Sequence, residues 1–345
     1  MKNMKQNSTP HEIWHLINNP DPRRGGAQKI LEKLAAPGEK ILSKQPPPHR
    51  ALKILPSTIF SLIQITIKIA NKKPDLAYIH SRCFLPLTWI FKAAGTKTIF
   101  YAHANYRRHS WLYKVFPCDH YVAVSGAVRD SILKQAIAKS KVSTIVNPYI
   151  GGSRIGTCSA PSGAALKIGF VGSLNIWKGI LDAIKAIYAV SSQINGRLVF
   201  QIIGDGPLMQ QVKELASTTP KNVEVIISGY QEAPFEVLKD AQALLIPSLE
   251  EGFGLVAIEG IYQGKIVLHN AIPSLSEICD SDALSYSFNI NDSATLLAAI
   301  NQAQNFLSTL NDTDFILRRS DALIKTYGLE RFVQEHKELK AYILH

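Results

Sequence analysis

Short apolar runs, several closed by glycine, proline or asparagine and most followed by a helical pattern, constrain this chain more than any other feature. The first is Ile13–Ile17, followed by NNPDPRRGGAQ and a helical pattern from about Ala27. Further runs at 76–79, 98–102, 121–124 and 143–146 are interspersed with helical patterns, among them 58–71 and 127–138. Apolar runs this short read as strands, and strands alternating with helices form a parallel sheet covered on both faces. The stretch GGSRIGTCSAPSGAA at 151–165 has no periodicity and reads as a linker. Beyond it the alternation resumes, with strands expected at 167–171, 198–203, 223–227, 243–246 and 266–269, and the last 50 or so residues are helical in pattern. The expectation is two doubly wound α/β sheets, which bind ligands beyond the carboxyl ends of their strands.

At 345 residues the chain is long for one core and suits two. Its charge is uneven. Residues 1–160 hold 24 Lys and Arg against 7 Asp and Glu, a balance of +17; residues 161–345 hold 14 against 20, a balance of −6. A surface as basic as the first half attracts polyanions, whether nucleic acid, an anionic bilayer or a phosphate-bearing substrate. Arg107, Arg108 and Lys114 are interleaved with Tyr106, Trp111, Tyr113 and Phe116, a mixture that suits a membrane interface. Compact nucleic-acid recognition motifs are missing, so no nucleic-acid partner is expected. The uncharged run 54–67 contains Pro56 and falls short of the roughly 20 residues of a spanning helix, so it reads as a buried or surface-lying amphipathic helix. The first ten residues, MKNMKQNSTP, lack the apolar centre of a secretory signal, and the four cysteines show neither zinc nor redox spacing. The expectation is a cytosolic chain with reduced thiols and no metal.

Three loops carry the chemistry. In GFVGSLNIWKG, 169–179, Lys178 is expected at the start of a helix, where a cation can meet a phosphate that the helix terminus already favours. In IIGDGPLMQQ, 202–211, the chain turns out of a strand, with Pro207 expected in the first turn of a helix and Asp205 as its cap. In PSLEEGFGLVAIEG, 247–260, Gly252 and Gly254 let a ligand approach the main chain, and a helix from about Leu255 offers free amides to an anion. Glu251 precedes that helix and Glu259 lies just over one turn into it, so the two acids flank the amides at different depths and need not face each other as a glycosidase pair does. Beside an anion site such acids suit hydroxyl groups attached at either end of it, as the ribose and hexose of a nucleotide diphosphate sugar are.

Taken in order, GGAQ at 25–28, YAHAN at 101–105, VAVSGAVRD at 122–130, VGSLNIWKG, IIGDGPL and the two glutamates with seven residues between them resemble the retaining glycosyltransferases of family 4, over roughly residues 13–280. The resemblance implies the GT-B fold: two Rossmann-like doubly wound domains facing a central cleft. It places an acceptor domain at 1–155, a nucleotide-sugar donor domain at 156–325, and a helix at 326–345 returning to the first domain. It implies metal-independent transfer of a hexose, without a cofactor, from a nucleotide diphosphate sugar, UDP favoured, to a lipid-linked or lipopolysaccharide or capsule type glycan. The enzyme would lie on the inner face of the cytoplasmic membrane, with Arg107, Arg108, Trp111 and Lys114 toward acceptor and bilayer. By position Glu251 touches the donor hexose and Glu259 the ribose; the amides of Phe253, Gly254 and Leu255 bind hexose and diphosphate, and Lys178 binds the diphosphate. Gly26 lets its loop close on the donor, and His103 lies near the reacting centre. Ser173 stands where many relatives carry Arg, which leaves Lys178 as the phosphate's cation unless Arg23, Arg24 or Arg107 substitutes. The alternatives are a GT-B epimerase or phosphorylase-like enzyme, or a weakened GT-B scaffold. Asp280-Ser281-Asp282 reads as a turn and not a metal pair, and His11, His15, His80 and His269 read as structural histidines.

Overall fold

The computed structural model describes residues 11–22, 25–45, 56–105, 109–152, 165–309 and 314–345. They form two compact units, Met1–Val146 with Val333–His345, and Asn147–Phe332. Most of the expected linker, from residue 153 to 164, lies outside the described residues.

The first unit is built on six parallel strands: β1 Ile13–Ile17, β2 Lys40–Ser43, β3 Leu76–Ile79, β4 Lys97–Ala102, β5 His120–Ala123 and β6 Val142–Thr144, in the order β2-β1-β3-β4-β5-β6. β1, β3 and β5 are buried at every position, as strands covered on both faces must be. The order reverses direction between β1 and β3. The helix Ser57–Asn71 buries Ser61, Ile65 and Ile69 and leaves Ile59, Ile63 and Ile67 from 45% to 56% exposed. It is thus the surface-lying amphipathic helix expected of that run; residues 54 and 55 lie outside the described part. The helix expected at 127–138 is Gly126–Leu133, capped by Ser125 Oγ accepting from the Val128 amide, and it is shorter because Ala136 takes φ 60°. Among the described residues no helix is long and apolar enough to cross a membrane.

The second unit repeats the plan: β7 Ala165–Val171, β8 Arg197–Ile203, β9 Val223–Gly229, β10 Ala243–Ile246, β11 Ile266–Asn270 and β12 Ser285–Phe288, all parallel, in the order β12-β11-β10-β7-β8-β9. This is the doubly wound dinucleotide-binding order, whose crevice opens between the first and fourth strands, here β7 and β10. A continuous cluster, chiefly of Ile, Leu, Val, Phe and Ala, packs this sheet against helices such as Ile180–Val190 and Ser293–Thr309. Two strands, β2 and β12, have no counterpart in the sequence reading. Both are edge strands of four residues, KILS and SYSF, and every position of the first and three of the second retain some exposure. Edge strands need not be apolar on both faces, so the apolar-run signal is missing there.

Candidate active site

Lys178 and Glu251 leave the sheet on opposite sides of the β7/β10 switch point, and the structure pairs them directly, Lys178 Nζ to Glu251 Oε1. The loops are brought together by main-chain contacts that only glycine permits. Gly179 has φ 64°, and a Cβ there would stand 2.1 Å from the Pro247 carbonyl oxygen. The Leu249 amide donates to the Trp177 carbonyl at 2.8 Å, locking the loop after β10 onto the loop after β7. Gly204 and Gly206 bring the loop after β8 equally close: Cβ atoms there would stand 1.8 Å from the Gly172 oxygen and 2.5 Å from the Leu174 oxygen. Three loops therefore interlock into one floor at the carboxyl edge.

Lys178 closes a 3-10 turn, Ile176–Lys178, ahead of the helix Ile180–Val190, so it precedes the helix instead of opening it. Asn175 shapes that turn, its Oδ1 accepting from the Lys178 amide at 3.2 Å and its Nδ2 donating to Ser173 Oγ at 2.7 Å. Ser173 is itself exposed and adds no charge. Glu251 also accepts from Ser248 Oγ at 2.8 Å, and the Ser248 carbonyl is held by Asn270 Nδ2 at 3.0 Å. Lys178 is 25% and Glu251 14% exposed, so the pair is sheltered yet reachable. Ser248, Asn175 and Asn270 were not singled out in the sequence, because a side chain that holds a loop carries no motif of its own.

The helix Leu255–Tyr262 opens at Gly254, whose φ of 118° only glycine adopts readily. A Cβ at Gly254 would also meet Leu275 at 2.7 Å. Phe253 is buried against Tyr327, ring centroids 5.8 Å apart. With that side chain turned inward, the segment presents main chain, and the amides at Phe253, Gly254 and Leu255 belong to the helix amino terminus, which favours anions. Glu259 lies half-buried just over one turn in. The structure thus gathers Lys178, Ser173, Glu251, Phe253, Gly254, Leu255 and Glu259 at one edge of one sheet.

Gly26 and His103 belong to the first unit. Gly26 opens the helix Gly26–Leu34, with Gly25 as its amino cap. His103 is the residue after β4; its Nε2 lies 2.9 Å from His80 Nδ1, and burial holds its pKa down to about 3. Trp111, 57% exposed, and Lys114 lie at the short helix Leu112–Val115, with Trp89 also exposed and bonded to the Val115 carbonyl. Arg23, Arg24, Arg107 and Arg108 lie outside the described residues. Two expectations about the loop after β8 are corrected. Asp205 does not cap a helix: its side chain accepts from the neighbouring Gly206 amide, and the helix Met209–Ala216 begins after Pro207, which lies outside it. Asp282, in the expected turn, is also a buried structural ion-pair partner of Arg319, which in addition donates to the Lys265 carbonyl.

Two six-stranded parallel sheets with a loaded switch point define a two-domain α/β protein of GT-B type. Two family models match consecutive parts of it, Glycosyltransferase Family 4 over residues 11–149 and Glycosyl transferases group 1 over residues 161–326. The chain belongs to the family 4 type of glycosyltransferases. It is 26% identical over 170 residues to lipopolysaccharide 1,6-galactosyltransferase of Salmonella typhimurium, 47% of this chain and 44% of that one. It spans about half or less of the length of the curated relatives it matches. Among solved structures, Anabaena Alr3699/HepE in complex with UDP-glucose matches at TM-score 0.74 and 16% identity, covering 96% of this chain and 100% of that one. The lipopolysaccharide outer core galactosyltransferase WaaB in its apo form matches at 0.69 and 15%, covering 95% and 99%.

Proposed function

We propose that this chain is a retaining, metal-independent hexosyltransferase that uses a UDP-sugar and a lipid-linked or lipopolysaccharide-type glycan acceptor. The observation that carries the reading is the pairing of Lys178 with Glu251 across the β7/β10 switch point, beside the Gly254 helix terminus. Breaking the bond between sugar and phosphate leaves an extra negative charge on the diphosphate. Lys178 and the amides at 253–255 meet that charge without a metal, and one such preorganised donor is worth about 2.7–4 kcal/mol of barrier. In the free chain Glu251 holds Lys178 in place; with donor bound, the diphosphate takes over the ammonium and Glu251 accepts from a hexose hydroxyl. Glu259 accepts from the ribose. The UDP-glucose complex of the HepE neighbour and the acceptor named for the Salmonella relative support the choice of donor and acceptor.

The membrane part of the proposal rests on the exposed Ile59, Ile63 and Ile67 stripe, on exposed Trp89 and Trp111, and on the +17 balance of the first 160 residues. Basic and apolar groups on one surface suit the inner face of an anionic bilayer. The test is transfer from radiolabelled UDP-glucose and UDP-galactose to a lipopolysaccharide or lipid-linked acceptor in EDTA. Incorporation that is lost in Lys178→Ala supports the reading; donor turnover that needs no acceptor, or incorporation only with added divalent metal, overturns it.

A further inference from the structure

Four adjacent strands of the first unit carry a diagonal row of chemistry that the donor site does not use. His15 in β1 pairs in register with Tyr78 of β3, and His80 lies two residues further along. Tyr78 in turn pairs with Ile99 of β4, and His103 lies four residues beyond Ile99. On the other side, Ile41 of β2 pairs with His15, and Glu39 lies two residues before Ile41. Each step across the sheet therefore advances by two residues, one full pleat, toward the carboxyl edge and keeps the side chains on one face.

The row is hydrogen-bonded from end to end. Lys340 Nζ donates to Glu39 Oε1 at 2.6 Å; Glu39 Oε2 lies 2.8 Å from His15 Nε2, His15 Nδ1 lies 3.1 Å from His80 Nε2, and His80 Nδ1 lies 2.9 Å from His103 Nε2. Tyr78 stacks on His15 at 4.9 Å and Tyr101 on His103 at 4.6 Å, which holds the ring planes. A carboxylate can only accept, so His15 Nε2 carries hydrogen and, in a neutral ring, Nδ1 is bare. The same alternation makes His80 donate from Nε2 and accept at Nδ1, and makes His103 donate from Nε2. Burial holds all three rings toward the neutral form, most strongly at His80 and His103, while Glu39 stays ionised, held down to about 2 because its bonds to His15 and Lys340 outweigh its own burial. The row ends at His103 Nδ1, a buried atom with no hydrogen-bond partner among the described residues. A bare buried acceptor is costly unless a ligand supplies the missing donor.

We propose that Glu39, His15 and His80 are positioning residues that lock His103 in the Nε2–H tautomer, so that Nδ1 is an acceptor selecting substrates with a hydroxyl donor at that point. The lock stands on the first unit's geometry alone; the identity of the hydroxyl, on a sugar of the donor or acceptor, rests on the transferase reading. The experiment is nitrogen-15 spectroscopy of the histidine rings in the full chain at neutral pH, with His103 assigned by its loss in His103→Gln. The expected result is one His103 tautomer, Nε2 protonated and Nδ1 unprotonated, giving way to a tautomer mixture in His80→Phe and in His15→Phe. An Nδ1–H tautomer or a mixture in the wild type overturns the proposal even if neither variant folds. So does a folded His80→Phe that keeps the wild-type signature. Nucleotide titration of the same samples is a separate readout, so failure of the lock and failure of the donor site are distinguishable.

Discussion

Acid should destabilise the first unit through its buried histidines, by an amount that follows from their burial. His15, His80 and His103 have folded pKa values below the ordinary value near 6.5 because burial disfavours the imidazolium. The unfolded chain therefore binds more protons in acid. Their contribution to stability is complete above about pH 6.5 and is lost as pH falls toward the folded values, about 3 for His103. Between pH 8 and 5.5 each histidine that stays neutral in the fold loses about 1.4 kcal/mol. His80 and His103 together account for about 3 kcal/mol, and His15 adds less because Glu39 favours its charged form. Glu39 moves the balance little in that window; its folded pKa, about 2, makes its own contribution fall only below about pH 4.5. The assay is urea unfolding at pH 8 and 5.5 followed by tryptophan fluorescence. Trp14 in β1 is 2% exposed while Trp89, Trp111 and Trp177 are largely exposed, so the signal reports chiefly on the first sheet. Replacing His80 by Phe preserves a stacked ring and should reduce the acid-induced loss by about 1.4 kcal/mol. An identical loss in wild type and variant would refute the claim that His80 is held neutral by its surroundings.

Gly179→Ala should destabilise the second unit by at least about 1–2 kcal/mol in urea unfolding, since a left-handed residue gains a Cβ against the Pro247 carbonyl. The same variant should weaken UDP binding, because Lys178 adjoins that contact. Arg319→Ala should cost about 3–5 kcal/mol of stability by leaving Asp282 buried without its partner, seen as a lower urea midpoint. Ile63→Glu, in the middle of the exposed stripe of Ser57–Asn71, should reduce sedimentation with anionic vesicles and leave UDP titrations unchanged.

The sheets were legible because interior parallel strands are apolar on both faces, which turns β1, β3, β7 and β10 into plain runs. The edges β2 and β12 were not, since a strand with one open side accepts Lys, Ser and Tyr. In the candidate site, Glu251, Gly254, Glu259 and Lys178 stood out because glycine geometry and acid spacing are local properties. The contact that unites them was not visible: Gly179 against Pro247 joins residues 68 positions apart, and nothing in either segment names the other. The histidine row was hidden for a related reason. His15 and His80 read singly as structural histidines, and only the register of β1, β3 and β4 makes them neighbours of His103. Glu39 is harder still, because it precedes an edge strand that the sequence pattern does not reveal.

The central claim is that the β7/β10 crevice binds a nucleotide diphosphate through Lys178, the 253–255 amides and Glu259 without metal. Calorimetric titration of UDP in EDTA, into wild type, Lys178→Ala and Glu259→Ala, tests it most directly. Charge-assisted bonds of this kind are worth about 1.5–3 kcal/mol, so the account predicts binding by wild type and a loss of roughly 10- to 100-fold in each variant. No binding by wild type in EDTA, or equal affinity in all three proteins, would contradict it.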